Sequence, residues 1–320
     1  MMTISSDTMN VPAVEVVGIT KHFRRVRAVD GVSLTIPSGG AYGLLGPNGS
    51  GKTTLLSMLA GFLSPTAGDI VLLGETGDTG LEQARGRVGA MIERPIFWPY
   101  LSCRDNLRCL QGIYGSSGGD DEIERLLGLV NLDRDAAGRK FRACSTGMKQ
   151  RLGIAATLLG DPDLLILDEP TNGLDPAGII EVRELIRGLA TGDGKSGGKA
   201  RTVILASHLL NEVEQVCDHV GVMARGKLLY SGPVSGISGQ SRVRLRTTDD
   251  VKARSLLQDA GWAIGGGADD GLKVSAAPGS EWKISRELAE ARIYVSEMTQ
   301  SGASLEEGFL EVTGNALRDD

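Results

Sequence analysis

The chain has 320 residues, room for about two domains, and 41% of them are hydrophobic, an ordinary fraction for a protein with a sizeable core. Its net charge of -6 leaves no basic excess to displace counterions from nucleic acid, and an aromatic content of 4% offers no stacking platform for single strands. No apolar run approaches the ~20 residues that cross a bilayer.

Residues 1–13 read as a disordered N-terminus. Met1 to Asn10 is polar and lacks the basic start and apolar core of a secretory signal. Short strands are predicted at Val14–Val17 and Val32–Ile36, then a turn from Pro37 to Gly40 and a buried strand at Tyr42–Leu45. Phe23 falls in a basic loop between the first two strands. Alone it reads as a half-buried loop residue; beside a nucleotide site it reads as a ring that stacks on adenine.

The nucleotide site follows at once. Gly46-Pro47-Asn48-Gly49-Ser50-Gly51-Lys52-Thr53-Thr54 fits the phosphate-loop pattern of Gly, four free positions, then Gly-Lys-Ser/Thr. Glycines let backbone N–H groups curl around a β-phosphate, and a helix N-terminus adds its positive dipole end. Lys52 suits the β- and γ-phosphates, and the Thr53 hydroxyl suits Mg²⁺. Behind the loop, Leu55, Leu56, Met58, Leu59 and Phe62 recur at helical spacing. The cofactors expected are therefore ATP and Mg²⁺.

Further strands are predicted at Gly68–Gly74 and Val88–Ile92. Residues 101–159 turn helical, with one stripe at Leu107, Leu110 and Ile113 and another at Ile123, Leu126, Leu127 and Val130. Leu164–Leu167 is a short apolar run, as in a strand buried on both faces, and it ends in Asp168-Glu169-Pro170. Two carboxylates at a strand's carboxyl end suit an ion held through water and a water-polarising group. Asp175-Pro176 starts a helix with a side-chain cap and proline at its first position, and Ile179, Ile180, Val182, Leu185, Ile186 and Leu189 give it an apolar face. Thr191 to Arg201 reads as a mobile loop. Thr202–Ala206 is another buried strand, followed by Ser207 and His208; in this setting His208 reads as a γ-phosphate contact rather than a structural hydrogen-bonder. His22 and His219 read as structural. Cys103, Cys109, Cys144 and Cys217 form no C-x-x-C pair and read as reduced thiols without metal.

Cys144-Ser145-Thr146-Gly147-Met148-Lys149-Gln150-Arg151 stands shortly before the Asp-Glu strand, and Asn172-Gly173-Leu174-Asp175 follows it. With His208 and Phe23, these segments resemble the ATP-binding subunits of ABC transporters: signature, D-loop, switch histidine and adenine-packing aromatic, in family order over residues 14–235. The resemblance implies an α/β P-loop NTPase with an antiparallel β subdomain and a helical subdomain at about residues 95–160. It implies a head-to-tail dimer, homo- or heteromeric, in which Ser145 and Gly147 of one chain close over ATP held by the other. That ATP would lie on Phe23, the loop from Gly46 through Thr54, and Asp175. Glu169 would serve as general base beside His208 and Lys52, with Mg²⁺ held by Thr53, Asp168 and Glu93. Separate membrane-spanning subunits would place the chain at the cytoplasmic face of the membrane.

Two motifs depart from the family. The signature has Thr146 and Met148 in place of a Gly and the Gln, and Glu93 replaces the Q-loop glutamine. This combination is similar to the bacitracin and lantibiotic export and self-immunity subfamily. The helical insertion and the Glu93 loop would form the docking surface, with Phe97, Trp98, Tyr100 and Leu101 either as anchors or as local packing.

Residues 240–320 alternate as strand (Ser241–Thr247), helix (Val251–Ala260), strand (Leu272–Ala276) and helix (Glu281–Glu290), a small α+β domain of ferredoxin-like proportions. Its closing Ala303–Leu310 segment resembles the ending of bacterial exporter ATPases, and it carries no catalytic group. Regulation, dimer support and structural capping all remain open for it. Against export stand two alternatives. An ABC-type ATPase acting on ribosome or DNA would carry two sites or long coiled coils, whereas this chain has one site and no heptad run. A kinase or GTPase is disfavoured by the signature segment and by the lack of an Asn-Lys-x-Asp motif.

Overall fold

The computed structural model describes residues 11–93, 95–115, 118–193, 198–237, 242–265, 271–276, 280–301 and 305–318. Residues 1–10 of the segment expected to be disordered, and 194–197 of the loop expected to be mobile, lie outside them. The chain divides into two compact units, Met1–Gly232 and Pro233–Asp320.

In the first unit, β1 (Val14–Phe23) pairs antiparallel with β2 (Val26–Ile36) and with β4 (Ala67–Leu72). β1 is longer than its apolar run predicts. Pairing with β4 ends at Thr20, but β2 carries the ladder on past the polar Lys21 and His22 to Phe23, which sequence alternation does not register. Phe23 therefore ends a strand opposite Val26, and only Arg24 and Arg25 turn the hairpin, Arg24 at a φ of +53°.

The second sheet has six strands in the order β5-β6-β7-β3-β8-β9. They are β3 (Gly40–Leu45), β5 (Val88–Met91), β6 (Leu164–Asp168), β7 (Thr202–Ser207), β8 (His219–Ala224) and β9 (Lys227–Pro233). The first five run parallel. β6 and β7 are wholly buried, as their unbroken apolar runs require. α1 (Lys52–Leu59) lies between the sheets. Leu55, Leu56, Met58 and Leu59 share a core with Val16 and Leu34 of one sheet and with Ile166 and Ile204 of the other. Phe62, expected on the same face, lies past the helix end and is 69% exposed.

The helical layer comprises α3 (Cys103–Tyr114), α4 (Gly119–Leu129), α5 (Arg134–Gly138) and α6 (Thr146–Thr157), with a 3-10 turn at Phe141–Ala143, while α2 (Gly77–Arg85) packs against β4. On α4, Ile123, Leu126 and Leu127 are buried as predicted. On α3 the buried stripe is Cys103, Asn106, Leu107 and Gln111, while Ile113 is exposed. Two of those four are polar, so hydropathy points to the wrong face. α7 (Pro176–Thr191) follows β6 and α8 (Leu210–Val216) follows β7; on α7 Ile180 faces outward, while Val182, Ile186 and Leu189 are buried.

α6 crosses β5 at unusually short range. A Cβ on Gly89 would lie 1.9 Å from the Thr157 carbonyl oxygen, and one on Gly153 would lie 2.6 Å from the Met91 sulfur. The Gly89 neighbour is backbone and cannot step aside. Gly89→Ala is expected to cost about 1–3 kcal/mol of stability, read from urea denaturation. Wild-type stability in that variant would mean the two elements separate easily.

The second unit contains α9 (Val234–Ile237), β10 (Arg242–Thr247), α10 (Asp250–Asp259), β11 (Ile264–Gly265), β12 (Leu272–Ser275), α11 (Glu281–Glu290), β13 (Val295–Ser301) and α12 (Leu305–Arg318). Its antiparallel sheet has the order β11-β12-β10-β13, the ferredoxin-like arrangement of a βαββαβ chain. Val243, Leu245, Leu272 and Val274 meet Ala253, Leu257, Ile284 and Leu288 of the two helices in a separate core.

Candidate ATP site

The site begins where β3 ends. Gly46 has a φ of +159°, and a Cβ there would lie 2.3 Å from the Met223 carbonyl oxygen and 2.6 Å from the Ser50 hydroxyl. Gly51, at +103°, would strike the Ala28 carbonyl oxygen at 2.4 Å. Only glycine fits at these two positions. Pro47, Asn48 and Gly49 form an exposed rim, whereas Ser50 is buried with no hydrogen-bond partner for its hydroxyl. No side chain caps the N-terminus of α1. A loop with an uncapped helix end and a buried free hydroxyl has the donors that a triphosphate takes.

Lys52 is 6% exposed, and its Nζ donates to the carbonyl oxygens of Gly46 at 2.6 Å and Pro47 at 3.2 Å. Burial lowers its pKa, and the carboxylates of Glu169 and Asp168 oppose that shift. The Thr53 hydroxyl donates to Asp168 Oδ2 at 2.7 Å, while Asp168 Oδ1 is buried without a partner. Burial pushes the Asp168 carboxyl above the usual range, against the Thr53 hydrogen bond and the charge of Lys52. The Glu93 backbone and carboxylate also act on Asp168, so the three residues expected at Mg²⁺ come together. An orphaned carboxylate oxygen beside a threonine hydroxyl fits a hard cation. Among the described residues no group of three His, Cys, Asp or Glu could hold a metal alone.

Glu169 follows Asp168 with a φ of +50°, a left-handed conformation rare for a side chain of this size, and Glu93 shares it at +60°. The Glu169 N–H donates to the Ala206 carbonyl at 2.9 Å, locking the turn to the end of β7. His208, just past that end, sets its Nδ1 2.8 Å from Glu169 Oε2. Both side chains remain partly exposed. The carboxylate can take a water's proton, and the ring can orient the carboxylate or meet an incoming phosphate.

The remaining predicted residues lie elsewhere in the unit. Ser145 caps α6, its hydroxyl accepting from the Met148 N–H at 3.2 Å, and a Cβ on Gly147 would lie 3.3 Å from the Leu174 side chain. Neither makes a described hydrogen bond to the phosphate loop. Asp175 caps α7 by accepting from the Gly178 N–H at 3.1 Å. Phe23 is 45% exposed, with Lys21 Nζ 5.4 Å from its ring. Cys144, beside Ser145, sets its sulfur 3.4 Å from that of Cys103; burial pushes the Cys103 thiol up to about 12, which keeps it protonated and unreactive. Sequence reasoning passed over Gln150. It is buried on α6 and donates to the Glu169 carbonyl at 3.2 Å, joining α6 to the Asp168–Glu169 turn of the same chain. Flanked by the charged Lys149 and Arg151, it carries no apolar signal in the sequence that marks it as buried.

The family model for the ABC transporter matches residues 29–172. The bacitracin transport ATP-binding protein BcrA of Bacillus licheniformis is 37% identical over 92% of this chain and 95% of its own length. The lantibiotic transport ATP-binding protein SrtF of Streptococcus pyogenes is 38% identical over 68% of this chain and 90% of its own. The dimeric ATP-binding cassette MJ0796, bound to ADP and Pi, superposes with a TM-score of 0.61 at 24% identity, covering 69% of this chain and 98% of its own, a likeness of fold. With a phosphate loop, an orphaned Asp168 oxygen and a Glu169–His208 pair on that fold, the chain belongs to the ATP-binding, ATP-hydrolysing subunits of the ABC transporter family.

Proposed function

We infer that the chain drives export of a peptide antibiotic, or of a lipid or drug, through separate membrane-spanning subunits, as a means of efflux or self-resistance. The names of BcrA and SrtF, transport proteins for bacitracin and a lantibiotic, support the substrate class, and they favour transport over action on ribosome or DNA. Among the described residues no helix is long and apolar enough to cross a membrane, which suits a subunit docked at the cytoplasmic face. Two copies, identical or paired with a relative, meet head to tail. Phe23, the loop from Gly46 to Thr54 and Asp175 hold ATP, and the partner copy's signature segment covers it. Mg²⁺ at Thr53, Asp168 and Glu93 would neutralise phosphate charge, Lys52 would hold the γ-phosphate and Glu169 would take the proton of the attacking water.

The observation that carries the membrane partner is a groove of about 800 Å³ between β5, the segment after Glu93, and the helical layer. Its lining includes Phe62, Met91, Pro95, Ile96, Leu110 and Tyr114. Ile96 is 93% exposed, and Phe62 and Tyr114 are exposed as well, an apolar patch with no internal partner. The expected anchors divide. Phe97 is local packing, edge-on to Phe141 at 5.1 Å, and Leu101 is half-buried. Trp98 and Tyr100 face outward on a turn held by buried Asn106, whose amide donates to the Trp98 carbonyl at 3.1 Å and accepts from its N–H at 2.8 Å. A cytoplasmic helix of the membrane subunit fits this groove.

The test is capture. The full chain carrying Glu169→Gln, trapped with ATP in solubilised membranes, should retain a polytopic membrane protein. Adding Ile96→Asp should weaken that retention roughly 30-fold, the loss of one interface anchor, while isolated ATP hydrolysis of the single Ile96→Asp chain stays intact. Ribosomal or chromosomal proteins in the capture would overturn the transport reading.

A further inference from the structure

Glu212 is fully buried in α8, four residues past His208, and the hydrolysis just described gives it no role. Both of its carboxylate oxygens are engaged. Oε1 accepts from the Thr171 hydroxyl at 2.5 Å, and Oε2 accepts from the Ser207 hydroxyl at 2.8 Å. Thr171 is itself buried and lies two residues past Glu169; Ser207 is buried and immediately precedes His208. The Ser207 hydroxyl also accepts from the Leu209 N–H at 3.0 Å, so the residues on either side of His208 are tied together behind it. The Glu212 N–H closes the turn onto the Leu209 carbonyl at 3.1 Å.

We propose that Glu212 is a positioning residue for ATP hydrolysis, a buried post that holds the Glu169 turn and the His208 turn in register. The two turns meet twice. At the surface Glu169 Oε2 lies 2.8 Å from His208 Nδ1, and below it Glu212 bridges Thr171 and Ser207. The lower bridge also reaches the start of the 172–175 segment, since the Asn172 N–H donates to the Glu169 carbonyl at 3.1 Å and the Leu174 N–H to the Thr171 carbonyl at 3.1 Å. A shift of His208 on meeting a γ-phosphate is thus passed through Ser207, Glu212 and Thr171 to the segment ending at Asp175. A buried carboxylate is costly to keep unless its acceptors are filled, and these two hydroxyls fill them.

Glutamine tests this with almost no change in volume. Its amide offers one acceptor and one donor where the carboxylate offers two acceptors, so one of the two hydroxyls can no longer donate to it and must turn to accept. If that hydroxyl is Ser207, its oxygen, which already accepts from the Leu209 N–H, must take a second donor, and its own proton must find a new acceptor behind His208. This proposal rests on the reading of Glu169 and His208 as catalytic groups. In the full chain, Glu212→Gln should lower kcat about tenfold with ATP affinity held within about twofold, since a misplacement of ~1 Å can cost ~10²-fold. Thr171→Val should slow turnover likewise, and Thr171→Ser, which keeps the hydroxyl, should restore it. Combining Glu212→Gln with Thr171→Val should be no worse than Glu212→Gln alone, as for members of one hydrogen-bonded chain.

Wild-type kcat in Glu212→Gln while Glu169→Gln is inactive would overturn this proposal alone. Equal losses of kcat, nucleotide affinity and melting temperature would also overturn it, leaving Glu212 a stability residue. Normal turnover in Glu169→Gln would overturn the catalytic reading and this proposal with it.

Discussion

Lys52→Ala is expected to abolish ATP hydrolysis, with kcat reduced at least about 10²–10³-fold, the scale for losing one preorganised charge donor. Three consequences of the side chain's position combine. Its ammonium is a buried cation beside Glu169 and Asp168, and its removal leaves both carboxylates without that counter-charge in a site that must accept further negative charge. Its two donations to Gly46 and Pro47 also shape the loop from inside, at 2.6 and 3.2 Å. Finally, the γ-phosphate loses the point charge best placed to follow it to the transition state. Phosphate release measures the loss, and circular dichroism checks that the variant is folded. Full activity would remove the phosphate-loop assignment.

Glu169→Gln should separate binding from turnover. The groups expected to hold ATP, Lys52, Thr53 and the loop backbone, are untouched, so affinity should persist. Glutamine cannot accept the proton of the attacking water, and turnover should fall about 10²–10⁴-fold, the range for losing a general base. With ATP bound and not consumed, the variant should elute from gel filtration as a closed dimer, because ATP that favours the closed form shifts the population toward it. A monomer with normal turnover would show that Glu169 is no general base.

Much of this site was legible because its chemistry is written in contiguous residues. The loop from Gly46 to Thr54 joins a buried strand to a helix, and the structure shows why two of its glycines are obligatory: at Gly46 and Gly51 a side chain would collide with backbone oxygens. Asp168 and Glu169 end an unbroken apolar run, and β6 is the buried strand that such a run requires. His208 ends another, β7, which pairs with β6 in parallel and so delivers its side chain to Glu169. Residues 219–233, by contrast, were read without strands, yet they form β8 and β9 at the sheet's far side. α2 was missed too. Its composition is polar, with only Ala84 buried, and no apolar stripe announces it.

The sequence by itself determined the fold class, the phosphate chemistry and the family, since those depend on local patterns: a strand period, a helix period, and glycine where the backbone must turn left. The tertiary structure decided everything that depends on distance along the chain. It brought Thr53 to Asp168 across 115 residues, and Thr171 to Glu212 across 41. It sent Phe97 into packing and left Ile96 exposed, a choice between two apolar neighbours that the position of Phe141 resolves. It turned the polar face of α3 inward, because a buried Asn106 satisfied by backbone carbonyls costs little to bury. Hydropathy ranks residues by their own solubility; the fold ranks them by which partners it supplies.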